Sequence, residues 1–192
     1  LRTLTTVRSF TTRALAALSL VLAAATSFAL PPRGLPVPAA PFETLDGHPL
    51  QLRGFVDGRP LLIFYEDRGS REQNRPLKNQ LLQLGRDESL RRGVVIVPVA
   101  DLRRFNYWPA KGLARSQLRQ EEKRIGRQIY ADFHGAFGRA LGLQHGQSNI
   151  VLIAADGRVL FSHAGPLGQG DRRHVIDSLV GMARRAGATG AR

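Results

Sequence analysis

Two stretches of the chain are apolar at every position, LLIFY at 61–65 and VVIVPV at 94–99. Between them, PLKNQLLQLG at 76–85 repeats its leucines at helical spacing. Runs without alternation predict strands buried on both faces, as in parallel sheets, and the intervening length suits a crossover helix. The three segments together predict a βαβ unit. On either side the pattern changes to short alternating runs broken by Asp-Gly: FETLDGHPLQL at 42–52 around Asp46-Gly47, and SNIVLIAADGRVLFSHAG at 148–165 around Asp156-Gly157. Both predict antiparallel hairpins.

The remaining periodic segments are helical. GLARSQLRQEEKRIGRQ at 112–128 is polar with a thin stripe of Leu113, Leu118 and Ile125, which predicts a helix on the outside of the sheet. IYADFHGAFGRALGL at 129–143 predicts a short extended piece, a turn and a small helix bearing Ala136, Phe137, Ala140 and Leu141. DRRHVIDSLVGMARRA at 171–186 directs Val175, Ile176, Leu179, Val180 and Met182 toward the sheet. The predicted class is therefore α/β: a central mixed sheet flanked by helices, with a β-hairpin at the N-terminal end.

The two ends read differently from this body. Residues 1–29 carry Arg2, Arg8 and Arg13 without an acid, then the apolar run ALAALSLVLAAA, then small residues at Ser27 and Ala29. That is the layout of a secretory signal peptide cleaved near Ala29, and the run is too short to span a bilayer comfortably. Residues 30–41 (LPPRGLPVPAAP) form a stiff, extended proline-rich linker, residues 42–186 the folded domain, and residues 187–192 a flexible Gly/Ala tail. The expected location is periplasmic or secreted.

Charge adds less than its size implies. The formal net charge is +13, and Lys78, Lys111 and Lys123 are the only lysines among 28 basic residues. The basic pairs are scattered along the chain and are not interleaved with aromatic residues, so no stacking platform for nucleic acid is expected. Weak contact with an anionic membrane surface remains compatible with the charge. Cysteine count decides more: there is none. Thiolate, sulfenic acid and mixed-disulfide intermediates are thereby excluded.

The order βαβ, helix, ββ, helix resembles the thioredoxin-like fold, with the extra hairpin of redoxins and peroxiredoxins. PFETLDGHPLQLRGF resembles a redoxin opening, DFHGAFGRALGL the Asp-x-x-Gly segment before the penultimate strand, and NIVLIAADGRVLF the closing hairpin. IFYEDRGSREQNRPLKNQL, VPVADLRRFNYWP and IYADFHGAFGRALGL together resemble the YtfJ-type periplasmic proteins, which lack the usual cysteine pair. The resemblance implies that Asp67, Arg68, Gly69, Ser70 and Arg71 stand where relatives carry the reactive sulfur. It further implies that Ser148 and Asn149 replace the cis-proline facing it.

A degenerate loop of this kind is expected to bind rather than catalyse. Its partner would be a periplasmic protein, a peptide or a small anion, and no cofactor or metal is expected. Family analogy alone would instead give a redoxin- or peroxiredoxin-type antioxidant oxidoreductase. Ser70 followed by Gln73 fits a capping box, but Pro76 equally allows the helix to begin near Asn74, and the sequence leaves both open. The set Ser70, His134 and Asp132 lacks a nucleophile elbow, and Asp132, His134 and His145 match no zinc spacing. Tyr107 and Trp108, in FNYWP at 105–109, are either a partner-binding lip or part of a hydrophobic plug, with the plug favoured.

Overall fold

The computed structural model describes residues 29–189, so residues 1–28, where a leader is expected, and residues 190–192 lie outside the described residues. Seven strands form one sheet: β1 (Pro41–Thr44), β2 (Pro49–Gln51), β3 (Leu61–Glu66), β4 (Val95–Asp101), β5 (Tyr130–Asp132), β6 (Asn149–Ile153) and β7 (Val159–Ala164). The helices are α1 (Arg75–Leu84), α2 (Glu88–Gly93), α3 (Ala110–Ile125), α4 (Ala136–Ala140) and α5 (Gln169–Thr189). The strand order is β2-β1-β5-β4-β3-β6-β7, with β3/β4 and β4/β5 parallel and the other pairs antiparallel. The mixed α/β sheet read from the apolar runs is the one observed.

Alternation along the strands sorts the core onto two faces. Leu61, Ile63, Tyr65, Val97 and Val99 point to one face, where Phe42, Leu52 and Phe137 cover them. Leu62, Phe64, Ile150 and Leu152 point to the other and meet Leu77 of α1 and Val175 and Leu179 of α5. Leu77 is the one fully buried side chain of α1, so truncating it to alanine would cost about 2–5 kcal/mol. A third cluster, Leu45, Leu102, Ala114, Ala131 and Phe133, seats α3 at the hairpin end of the sheet.

The connections explain the placement of the helices. The chain passes from β3 to β4 to β5 in one direction across the sheet, and parallel crossovers are right-handed, so α1 and α3 fall on the same face. They flank β4 without covering it. β5 pairs only with Val99–Asp101, so β4 has no partner on that side at Pro98, where a proline without an N–H is tolerated.

Several local expectations change. Of the stripe proposed for α3 only Leu118 packs inward, against the third cluster beside the buried Ala114; Leu113 is 63% and Ile125 39% exposed. Polar contacts add to this seat. Arg115 and Lys111 pair with Glu43 at 2.9 and 3.9 Å and lie over the Phe133 ring, and Arg119 pairs with Asp46 at 2.5 Å. Much of the basic excess in this segment therefore grips the acidic hairpin. Helix α2 escaped the sequence reading because one turn offers almost no periodicity; its N-cap is Asp87, which accepts from the Ser89 and Leu90 amides.

The Asp-Gly turns behave as their sequences predict, with Gly47 and Gly157 at φ +91° and +83°, where only glycine is unstrained. The proline-rich segment packs on the body: Val37 and Ala40 are buried, and Gly34 and Val37 donate backbone hydrogen bonds to the Val159 and Gly157 carbonyls. At the other end, α5 continues to Thr189, through the start of the stretch expected as tail.

Candidate functional site

The loop that follows β3 is built from turns, not helix. Arg75 is the first helical residue of α1 and Asn74 its N-cap, with Pro76 inside the first turn, so the helix begins at the later of the two expected positions. The capping box is absent. The Ser70 hydroxyl donates to Asp67 Oδ1 at 2.8 Å and accepts from the Asp67 amide at 3.0 Å, while the Ser70 amide also donates to Asp67 Oδ1. The serine closes its own loop and is fully buried.

The loop is fastened to the segment before β6. Asn74, 1% exposed, donates through Nδ2 to Ser148 Oγ and to the Gly165 carbonyl, both at 2.9 Å, and accepts from the Leu167 amide at 2.8 Å. The Ser148 amide donates to Gln73 Oε1 at 2.9 Å, and its hydroxyl donates to Glu66 Oε1 at 2.5 Å. Asn149 Nδ2 donates to the Gln144 and Gln147 carbonyls, and its Oδ1 accepts from the Gln144 amide. Glu66, Gln73 and Asn74, which flank residues 67–71, thus bond to Ser148, while Ser70 spends its polar groups on Asp67 and Asn149 spends its own on backbone. Among the described residues the cis peptide is Trp108–Pro109, at the start of α3, and not at Ser148–Asn149.

Glu66 and Asn74 are not among the expected site residues, yet both belong to this junction. Glu66 ends β3 on the face shared by α1 and α3, and its carboxylate pairs with Lys78 at 2.6 Å. Burial raises its pKa above the ordinary value, and the opposing pull of Lys78 and the Ser148 hydroxyl does not overcome it. An acid at a strand end reads as a solvated loop residue; only the crossover of α1 shows that Lys78 comes down upon it.

The exposed part of the loop opens into a cleft of about 1190 Å³ between α1 and α3. Its floor is the uncovered face of β4, Ile96, Pro98 and Ala100, all half-buried. Leu81 and Leu82 form one wall, and Leu113 and Leu118 the other. Of the expected site residues, Asp67, Arg68, Arg71 and Tyr107 line it; Gly69 is exposed beside it, and Ser70, Ser148 and Asn149 are sealed beneath. Tyr107 and Trp108 are 61% and 91% exposed, which corrects the plug reading for both, while Phe105 alone packs inward against the third cluster.

Asp132, His134 and His145, which the sequence gives no catalytic or metal-binding spacing, have separate partners. Asp132 is buried and accepts from Tyr65 OH at 3.1 Å, from the Ala136 amide at 2.9 Å and from the Gly138 amide at 3.0 Å, closing the start of α4. His134 is exposed and bonds Asn106, and His145 bonds the buried Asp101 at 2.8 Å. No group of metal-ligating side chains occurs among the described residues. Burial opposes the charge of Asp101, but hydrogen bonds from Arg103 and His145 outweigh it and hold the carboxyl below the usual range.

No family model and no curated protein matches the sequence. Solved structures do. The thioredoxin domain of a thiol-disulfide oxidoreductase from Bacteroides vulgatus superposes with a TM-score of 0.53 at 16% identity, covering 78% of this chain and 98% of that one. A thioredoxin-like protein from Porphyromonas gingivalis gives 0.54 at 16% identity over 77% and 92%. BsSco, of the Sco family of cytochrome c oxidase assembly proteins, gives 0.51 at 16% identity over 80% and 95%. At these identities the likeness is one of fold, and the fold of this cysteine-free chain is thioredoxin-like.

Proposed function

We propose that the protein works by recognition: an exported thioredoxin-like module, akin to the YtfJ-type periplasmic proteins, whose leader is removed near Ala29. It would hold a partner at the face its relatives use for redox chemistry. The observation that carries this reading is an open, partly apolar cleft beginning at Asp67, Arg68 and Arg71, in a chain with no sulfur to react there. The sealed Ser70 argues the same way, because a buried hydroxyl whose hydrogen bonds all go to Asp67 has no base beside it to make it a nucleophile.

The test has two arms. Insulin-reduction and peroxide-consumption assays are expected to show no thiol-dependent turnover, and turnover would refute the reading. Recovery of partners from an envelope extract is expected to fall at least tenfold in an Arg68→Ala, Arg71→Ala double variant; equal recovery would remove the loop from the binding site.

A further inference from the structure

The parallel ladder leaves one residue of the cleft floor with its backbone unspent. The Val95 amide donates to the Pro60 carbonyl, so residues 95, 97 and 99 turn their N–H and C=O groups toward β3, and residues 96, 98 and 100 turn theirs the other way. On that other side Ala100 is met by Ala131 of β5, and Pro98 has no N–H to offer. Ile96 keeps both groups, because β5 begins too late to reach it. Neither its N–H nor its C=O has a hydrogen-bond partner among the described residues. A donor and an acceptor fixed side by side on a half-buried strand edge match another extended backbone better than any compact ligand.

The surroundings of Ile96 set the chemistry of that backbone's side chains. Among the described residues six large apolar side chains stand exposed, and four of them, Leu82, Tyr107, Leu113 and Ile125, line this cleft. Apolar surface so concentrated marks a contact site. Charge there is unbalanced. Arg68, Arg71, Arg75, Lys78, Arg124 and Arg127 line the cleft against Glu66, Asp67, Glu72 and Glu121, since Asp101 is buried and bonded to Arg103 and His145. Arg127 stands next to Ile96 and Leu81, exposed and without an ion pair among the described residues. At that exposure it adds little affinity and serves to select an acidic neighbour. Size agrees with a peptide: at a rise of ~3.3 Å, a strand spacing of ~4.8 Å and a layer depth of ~10 Å, a strand residue takes about 160 Å³. A cleft of about 1190 Å³ has room for about seven.

We propose that β4 takes up an extended segment of a partner protein as a short added strand in line with β5. The segment exchanges hydrogen bonds with Ile96, lays apolar side chains against Leu82 and Leu113, and sets an acidic side chain beside Arg127. This rests on the reading of the protein as a binding module and specifies the form and chemistry of what is bound.

Titration with a heptapeptide alternating valine and glutamate, blocked at both ends, is followed by calorimetry and by NMR of the protein's amides. Saturable one-to-one binding is expected, with hydrogen exchange at the Ile96 amide slowed at least tenfold. The same peptide with methylated backbone nitrogens should bind at least tenfold more weakly, and so should one with lysine in place of glutamate. Ile96→Pro removes an N–H that, as at Pro98, the ladder does not use; it should weaken binding at least tenfold, while Ile96→Val binds as the wild type does. Arg127→Glu should narrow the preference for glutamate over lysine at least threefold. Circular dichroism of each variant checks folding, and the methylated peptide tests the same hydrogen bonds on the unaltered protein. Absence of saturable binding, an unprotected Ile96 amide, equal binding of the methylated peptide, or tighter binding of an amphipathic helical peptide would overturn the proposal. The Arg68 and Arg71 variants, measured against envelope partners, report on the binding role separately, so either idea can fail alone.

Discussion

Asn74 Nδ2 and Ser148 Oγ stand 2.9 Å apart across 74 residues of sequence, joining the loop after β3 to the segment that enters β6. The junction is a buried polar clasp with its donors and acceptors matched. Asn74→Ala would strand the Leu167 amide and the Gly165 carbonyl and is expected to cost about 2–4 kcal/mol in urea unfolding. A double-mutant cycle with Ser148→Ala should give a coupling above about 0.5 kcal/mol. Additive effects would mean that the two side chains do not depend on each other.

Restoring sulfur should not restore reactivity. In Ser70→Cys the thiol would be buried beside the Asp67 carboxylate, and both conditions disfavour the thiolate. Its labelling by a disulfide reagent is expected to be at least tenfold slower than that of Gly69→Cys on the exposed side of the same turn. Equal rates would show that the loop opens readily.

Glu66 gives the protein a pH dependence with a definite sign. Its folded pKa lies above the ordinary value of 4.5, so the folded state keeps a proton that the unfolded chain has released. Its contribution to stability is full below 4.5, is lost as pH rises through the folded value, and is level above that. Glu66→Gln keeps an acceptor for Ser148 and leaves Lys78 free to reach solvent. Chemical denaturation from pH 4 upward should therefore show a flatter profile in the variant, and an unchanged profile would mean that the carboxyl is not desolvated.

Gly138 is required by Tyr65. A Cβ at position 138 would lie 2.6 Å from the Tyr65 hydroxyl, which is itself bonded to Asp132. Gly138→Ala is expected to destabilise by about 1–3 kcal/mol through displacement of that ring, and pairing it with Tyr65→Phe should recover part of the loss. Thermal unfolding of the single and double variants measures both.

The strands and their partners were legible because full burial and half burial write different periods into the chain, as LLIFY and the Asp-Gly hairpins do. The position of the loop was legible for the same reason, since β3 had to end near Glu66. Its use was not. Whether Ser70 faces solvent depends on where α1 starts, and that was decided by Asn74 finding Ser148, Gly165 and Leu167 from elsewhere in the chain. The cleft was hidden because Leu113 and Leu82 look like ordinary apolar positions of amphipathic helices; that they remain exposed follows from the spacing of α1 and α3 across β4.

The segment from Gly34 to Val37 also has a bearing on how copies of the protein coexist. By donating to the Val159 and Gly157 carbonyls and accepting from the Val159 amide, it occupies the first rungs of β7's outer margin with a stretch whose prolines, Pro36 and Pro38, have no hydrogen to offer a further strand. A neighbouring molecule arriving at that margin meets a blunted border instead of an open ladder. In a crowded compartment, that favours molecules that stay separate over stacked sheets.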